Sequence, residues 1–203
     1  MTAGKDLKDA SRAIIMLHGR GGSPEDMLPL TEELGIDSFA VFLPRAERNT
    51  WYPYSFLVPP EQNQPWLDSA LEMIAGLENE LLSSGIASEN IYFLGFSQGA
   101  CLSLEYTARS AKRYGGVIAF SGGLIGDIIE REKYKGDFLQ TPVFLGSSDP
   151  DPHIPAKRVK ESGKLLASLN ADTFMEIYPG MGHIISREEI DTVNRIFFSA
   201  YNF

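Results

Sequence analysis

The chain is poor in the residues that staple or anchor a protein. It has one cysteine, Cys101, in 203 residues, so no internal disulfide can form, which fits a reducing compartment and leads us to expect a cytoplasmic protein. The N-terminus, Met1-Thr-Ala-Gly-Lys-Asp-Leu-Lys8, lacks the apolar stretch of a signal peptide. No apolar run approaches the length that spans a bilayer, so no integral membrane association is expected. Positive charge is in short supply: the formal net charge is −9, which argues against nucleic acid or an anionic membrane surface as partner. Repeats, low-complexity segments and interdomain linkers are all missing. A single domain over residues 1–203 is therefore expected, large enough for a full core.

What is present is a regular alternation of apolar runs and amphipathic stretches. Residues 1–11 are polar and read as loose, or at most as a short edge strand. Arg12–Leu17 reads as a full strand, followed by His18-Gly-Arg-Gly-Gly22. Ser23-Pro-Glu-Asp26 resembles a capping box with proline in the first turn, and Met27, Leu30 and Leu34 give a helix its apolar face. Strands follow at 38–43, 91–96, 116–121, 141–146 and 172–178, with helices at 65–84, 98–109, 155–169 and from Ser186 onward. In the helix from Pro65, the residues Leu67, Ala70, Leu71, Ile74, Leu77 and Leu81 keep a period of about 3.6. Strands alternating with helices specify a mostly parallel sheet with helices on both faces. Ligands bind such sheets beyond the carboxyl ends of the strands.

The chemistry is concentrated there. Gly95-Phe-Ser-Gln-Gly99, between a buried strand and a helix, matches the G-x-S-x-G nucleophile elbow. A serine aimed out of so sharp a turn sits at a strained backbone angle, and the flanking glycines remove Cβ atoms that would clash. Serine is a weak nucleophile until a base takes its proton, and the chain offers only three histidines. His18, in a glycine-rich turn, suits a structural role. His153 shares a loop with the candidate acids and borders a pocket. His183, in a glycine-flanked loop after the last strand, suits the base. The order Ser97, then Asp149 or Asp151, then His183 is that of α/β-hydrolases. In that fold the oxyanion donors are two backbone amides, here Gln98 and, in the turn 18–22, Arg20. Residues 45–64 have no helical period but hold Trp51, Tyr52, Tyr54 and Phe56. A loop this long is usually functional or disordered, and its aromatics argue against disorder. Trp51 and Tyr52 are expected to line the substrate pocket with His153. The connection 122–140 is too short for a cap domain.

With these motifs the chain resembles the phospholipase/carboxylesterase family of α/β-hydrolases, from about Ala13 to the C-terminus. The resemblance rests on Leu17-His-Gly-Arg-Gly-Gly22, Gly95-Phe-Ser-Gln-Gly-Ala100, Asp151-Pro-His-Ile-Pro155 and Tyr178-Pro-Gly-Met-Gly-His183. It implies hydrolysis of small-molecule carboxylic esters or thioesters by a serine triad without metal or other cofactor, often in homodimers. Two departures matter. The acid loop is two residues longer than the usual family form, so counting from the strand selects Asp149, whereas counting back from Pro155 selects Asp151. The segment Asp151-Pro-His-Ile-Pro155 reproduces the family pattern and favours Asp151, with Asp149 left in an inserted bulge. The segment Pro53-Tyr-Ser-Phe56 after Trp51-Tyr52 differs from the thioesterase pattern and favours a carboxylesterase of short or medium acyl chains. A lysophospholipase or acyl thioesterase would use the same triad. A reading of another class is a small-molecule receptor that keeps the fold without the chemistry. A dienelactone-type hydrolase would want cysteine at position 97.

A histidine that takes the serine proton must be neutral, and histidine side chains in general titrate near ~6.5. The value of kcat/KM for a chromogenic ester should therefore rise through roughly pH 6–7.5 and then plateau. A flat profile from mildly acidic to mildly basic pH contradicts a histidine base.

Overall fold

The structure, a computed structural model, describes residues 1–199. In chain order its strands are β1 (Thr2–Gly4), β2 (Arg12–Leu17), β3 (Phe39–Phe42), β4 (Ile91–Phe96), β5 (Ser110–Ala111), β6 (Gly116–Phe120), β7 (Lys135–Gly136), β8 (Pro142–Asp149) and β9 (Asp172–Pro179). The helices are α1 (Pro24–Met27), α2 (Pro29–Glu33), α3 (Trp66–Ser83), α4 (Gln98–Arg109), α5 (Ala156–Ser168) and α6 (Arg187–Val193), the last continuing into a wider turn at Asn194–Phe198. The main sheet has seven strands in the order β1-β3-β2-β4-β6-β8-β9. All neighbours are parallel except β1 on β3. This is the mostly parallel α/β architecture that the alternating pattern implies.

The period of two along each strand sorts the core onto the two faces. Ala13, Ile15 and Leu17 of β2 point to the side covered by α3, α4 and α5. Ile14 and Met16 point to the side where Met27 of α1, Leu30 of α2, and Ile190 and Val193 of α6 pack. Both faces are apolar, so the central strands read as continuous hydrophobic runs.

Three local features differ from the sequence expectation or sharpen it. Residues 1–11 are not loose: β1 pairs antiparallel with β3, Lys5 N–H donates to the Phe39 carbonyl at 2.8 Å, and Leu7–Asp9 form a short turn. The edge of β3 would otherwise expose unpaired backbone groups, and β1 satisfies them. The first helix is two pieces, α1 and α2, because Pro29 has no N–H to continue the ladder. Strand β8 does not end at Gly146. It runs on to Asp149, with Ser147, Ser148 and Asp149 paired to Ile177, Tyr178 and Pro179 of β9. Asp149 is thus the last residue of a strand rather than part of a bulge.

The connection 122–140 holds one short helical turn, Arg131–Lys133, and β7, which pairs with β5. Two buried side chains pin it flat. Glu105 accepts from Ile125 N–H at 3.1 Å and from the Tyr134 hydroxyl at 3.0 Å. Arg158 donates to the carbonyls of Leu124 at 3.0 Å and Asp127 at 2.8 Å. No residue of this segment lines the cleft at Ser97.

Candidate active site

Ser97 sits between β4 and α4 with φ 53° and ψ −116°, a region that non-glycine residues occupy only when their surroundings enforce it. The enforcement is visible. Ser97 N–H donates to the Phe120 carbonyl of β6 at 2.9 Å, and its own carbonyl accepts from Cys101 N–H at 3.0 Å. A Cβ at Gly99 would be driven into the Leu17 carbonyl, and one at Gly95 into the Gly99 backbone. The glycines let α4 begin directly against β2, and the serine is tipped outward.

Ser97 Oγ lies 2.8 Å from His183 Nε2, and His183 Nδ1 lies 2.8 Å from Asp151 Oδ2. The structure thereby brings three of the expected residues into one hydrogen-bonded line. The Asp151 side chain is fully buried, and its second oxygen accepts from the amides of His153 at 2.7 Å and Ile154 at 2.9 Å. Burial alone would raise this carboxyl. The hydrogen bonds from His183 and the two amides together outweigh burial and hold it below the usual carboxylate range. Asp149 is exposed at the end of β8 and takes no part in the line. The ring of Phe96 lies 5.0 Å from the imidazole of His183, and that of His153 4.9 Å away.

The turn after β2 is built around His18. Its Nε2 accepts from Ala46 N–H at 3.1 Å, so the proton is on Nδ1, which donates to the Gly19 carbonyl at 2.7 Å. Burial lowers its pKa and keeps it neutral, and it has the structural role that its sequence setting suggests. Arg20 and Gln98 line the same cleft as Ser97. Gln98 is the first residue of α4, where helix amides lack an intrahelical acceptor. The Arg20 guanidinium donates to the carbonyls of Pro53 at 2.7 Å and Tyr54 at 2.5 Å. It thus fastens the aromatic loop to the turn.

Trp51 does not line the cleft, contrary to the expectation from its loop. Its indole N–H donates to the His18 carbonyl at 2.8 Å, its backbone N–H to Gln98 Oε1 at 3.0 Å, and its ring packs on His18 at 4.8 Å. An indole N–H needs a buried acceptor, and here the acceptor is behind the turn, so the ring supports the turn from below. Tyr52 does border the cleft but is only 1% exposed, with its hydroxyl beside Cys101. Tyr54, Phe56 and His153 line the cleft as well, which encloses about 450 Å³. The Cys101 thiol at its wall is pushed up to about 12 by burial and stays protonated, so it does not compete as a nucleophile.

Sequence reasoning missed two tethers. The Gln98 side chain spans α4 and the aromatic loop, donating to the Tyr52 carbonyl at 2.8 Å while accepting from Trp51. Ser148 Oγ donates to the Pro150 carbonyl at 3.1 Å and accepts from Gly182 N–H at 2.9 Å, which ties the acid loop to the histidine loop. Gln98 stands inside the elbow motif and could have been suspected. Ser148 gives no signal, because its role depends on β8 and β9 staying paired beyond Gly146.

An outward-tipped serine after the central strand of a mostly parallel sheet, with aspartate and histidine arriving after later strands in that order, defines an α/β-hydrolase. The chain belongs to the phospholipase/carboxylesterase family, a family of hydrolytic enzymes whose model matches residues 4–197. Among solved structures it resembles a phospholipase/carboxylesterase from Dyadobacter fermentans, at 50% identity and a TM-score of 0.96, over 97% of this chain and 94% of that one. Acyl-protein thioesterase 1 from Debaryomyces hansenii is 30% identical over 93% of this chain and 91% of its own length. The chain spans about half the length of other relatives that it matches, such as 48% of acyl-protein thioesterase 1 from Gibberella zeae at 36% identity.

The geometry separates the two candidate acids. Replacing a triad aspartate by asparagine keeps the shape but spoils the histidine tautomer, at a loss of about 10⁴ in kcat. Asp151→Asn should lose several orders of magnitude, and Asp149→Asn should stay near wild type on the same ester. The reverse ranking contradicts the arrangement described above.

Proposed function

We propose that the protein is a serine hydrolase that cleaves carboxylic esters of short or medium acyl chains through an acyl-enzyme. The observation that carries this reading is the line from Ser97 Oγ to His183 Nε2 and from His183 Nδ1 to Asp151, with 2.8 Å at both steps, opening on a cleft of about 450 Å³. Ser97 Oγ attacks the ester carbonyl as its proton passes to His183 Nε2, and Asp151 stabilises the imidazolium. The carbonyl oxygen takes the negative charge and is met by the amides of Arg20 and Gln98. Collapse expels the alcohol, which leaves with the proton from His183. Water then attacks the acyl-enzyme, giving its proton to His183, and the acid departs as Ser97 regains its hydrogen. No step calls for a metal or cofactor.

Tyr52, Tyr54, Phe56 and Ile154 give the cleft an apolar lining suited to an acyl chain. A receptor role is less well supported, because binding alone gives no reason to hold a serine, a histidine and a buried carboxylate in series. Thioesters remain a second reading, favoured by the relatives named acyl-protein thioesterases. The same attack serves both.

A panel of p-nitrophenyl esters and acyl thioesters of increasing chain length, run on wild type, Ser97→Ala and Phe56→Ala, tests the proposal. Turnover should be highest for short or medium esters and abolished in Ser97→Ala. Phe56 is 6% exposed and borders the cleft, so Phe56→Ala should shift the optimum toward longer chains. Turnover that survives in Ser97→Ala, or a clear preference of wild type for long-chain thioesters, overturns it.

A further inference from the structure

The loop 180–186 carries His183 between two anchors, and both refer to β8. One is Ser148, which accepts from Gly182 N–H at 2.9 Å. The other is Glu189, in the first turn of α6. Its Oε2 accepts from Ser186 N–H at 2.9 Å and from the Ser186 hydroxyl at 3.3 Å, while Ser186 Oγ accepts from Glu189 N–H at 3.2 Å. Reciprocal bonds of this kind usually cap helices at the surface. This one is inside the protein: Glu189 is 0% exposed. Its Oε1 has no hydrogen-bond partner among the described residues. That oxygen abuts Gly146 of β8, where a Cβ would collide with it.

A buried carboxyl oxygen without a partner is costly, and a helix cap alone does not require it. An Asp151 loop that springs from the end of β8 and a histidine loop braced on the same strand share one reference. We propose that Glu189 is a positioning residue for His183: its carboxyl, wedged between Ser186 and Gly146, sets the height of the histidine loop above β8 and so keeps the imidazole in reach of both Ser97 and Asp151. This inference rests on the reading of Ser97, His183 and Asp151 as the catalytic set.

The wedge lies among like charges. The charged and titratable groups facing it are Glu176 and Tyr178 from β9 and Glu188 from α6 itself. Glu176 is paired in register with Gly146, and its carboxylate accepts from the Tyr178 hydroxyl at 2.5 Å. Burial first, and the repulsion of Glu176 and Glu188 second, push the Glu189 carboxyl up to about 7 against the bonds from Ser186. The wedge acts through its shape and its bonds to Ser186, and glutamine reproduces that shape without the charge. Raised in the fold above its unfolded value, this group gives stability that is complete below about pH 4.5 and lost as pH rises through about 7.

The test compares Glu189→Ala, Glu189→Gln and Ser186→Ala with wild type, using a short-chain ester well below the melting temperatures. Misplacing a catalytic group by about 1 Å can cost 10²-fold, so Glu189→Ala should lower kcat by about 10–100-fold and leave KM within about twofold. Glu189→Gln should restore kcat to within about threefold. Its Tm advantage over wild type should grow from about pH 5 to about pH 7 and then level off. If Glu189→Ala does not fold, Ser186→Ala, which removes only the hydroxyl arms, should show a smaller kcat loss at constant KM. A folded Glu189→Ala with a lower Tm and unchanged kcat, a Glu189→Gln no better than alanine, or, with alanine unfolded, a Ser186→Ala of unchanged kcat overturns the proposal. A Ser97→Ala control that still turns over would instead overturn the catalytic assignment, leaving these outcomes distinguishable.

Discussion

The rest of the site depends on one close approach, the first turn of α4 against the end of β2. Gly99 lies so near the Leu17 carbonyl that no side chain fits between them. That contact allows a helix to start immediately after β4, and it fixes Ser97 at φ 53°. The strain is local and of order 1–3 kcal/mol for such a residue. It is held by hydrogen bonds to Phe120 of β6 and Cys101 of α4 and by the buried apolar packing on both faces of the sheet. In return the serine hydroxyl and the amide at the start of α4 face the same open cleft. The helix N-terminus adds its partial positive charge there.

Around this fixed point, each other part is tied to a strand end. The turn after β2 is set by neutral His18 and backed by Trp51. The aromatic loop is fastened to that turn by Arg20, and to α4 by the side chain of Gln98. The acid and histidine loops are tied together by Ser148 over the extension of β8. A cap could shield such a site from water, but the connection after β6 is held flat by Glu105 and Arg158. In the proposed reaction, selectivity would fall to the aromatic loop, whose Tyr52, Tyr54 and Phe56 line the cleft.

Much of this was legible in the sequence, for physical reasons that can be named. Buried parallel strands are continuous apolar runs, so β2, β4, β6 and most of β8 stand out. The elbow glycines and the order Ser97, Asp151, His183 carry the site, because steric clash and proton transfer restrict which residues can stand there. The departures arise where tertiary contacts decide. Residues 2–4 are few and carry no large apolar side chain, yet the open edge of β3 recruits them as β1. An exposed-looking tryptophan in an aromatic loop does not reveal that its indole N–H will find the His18 carbonyl behind the turn. The extra residues before Asp151 look like a bulge, but pairing with β9 turns them into strand and carries Asp149 out to solvent. Ser186 and Glu189 are visible as a capping box, and only packing shows that the box is buried against Gly146.

The central claim is that Ser97 is the nucleophile, and mass spectrometry of the intact and digested protein after reaction with a fluorophosphonate tests it most directly. A stoichiometric adduct on the peptide containing Ser97, absent from Ser97→Ala, is the predicted result. Ser121, the other serine with a positive φ at a strand end, is completely buried and should stay unmodified. An adduct on Ser121 with Ser97 unlabelled would contradict the account.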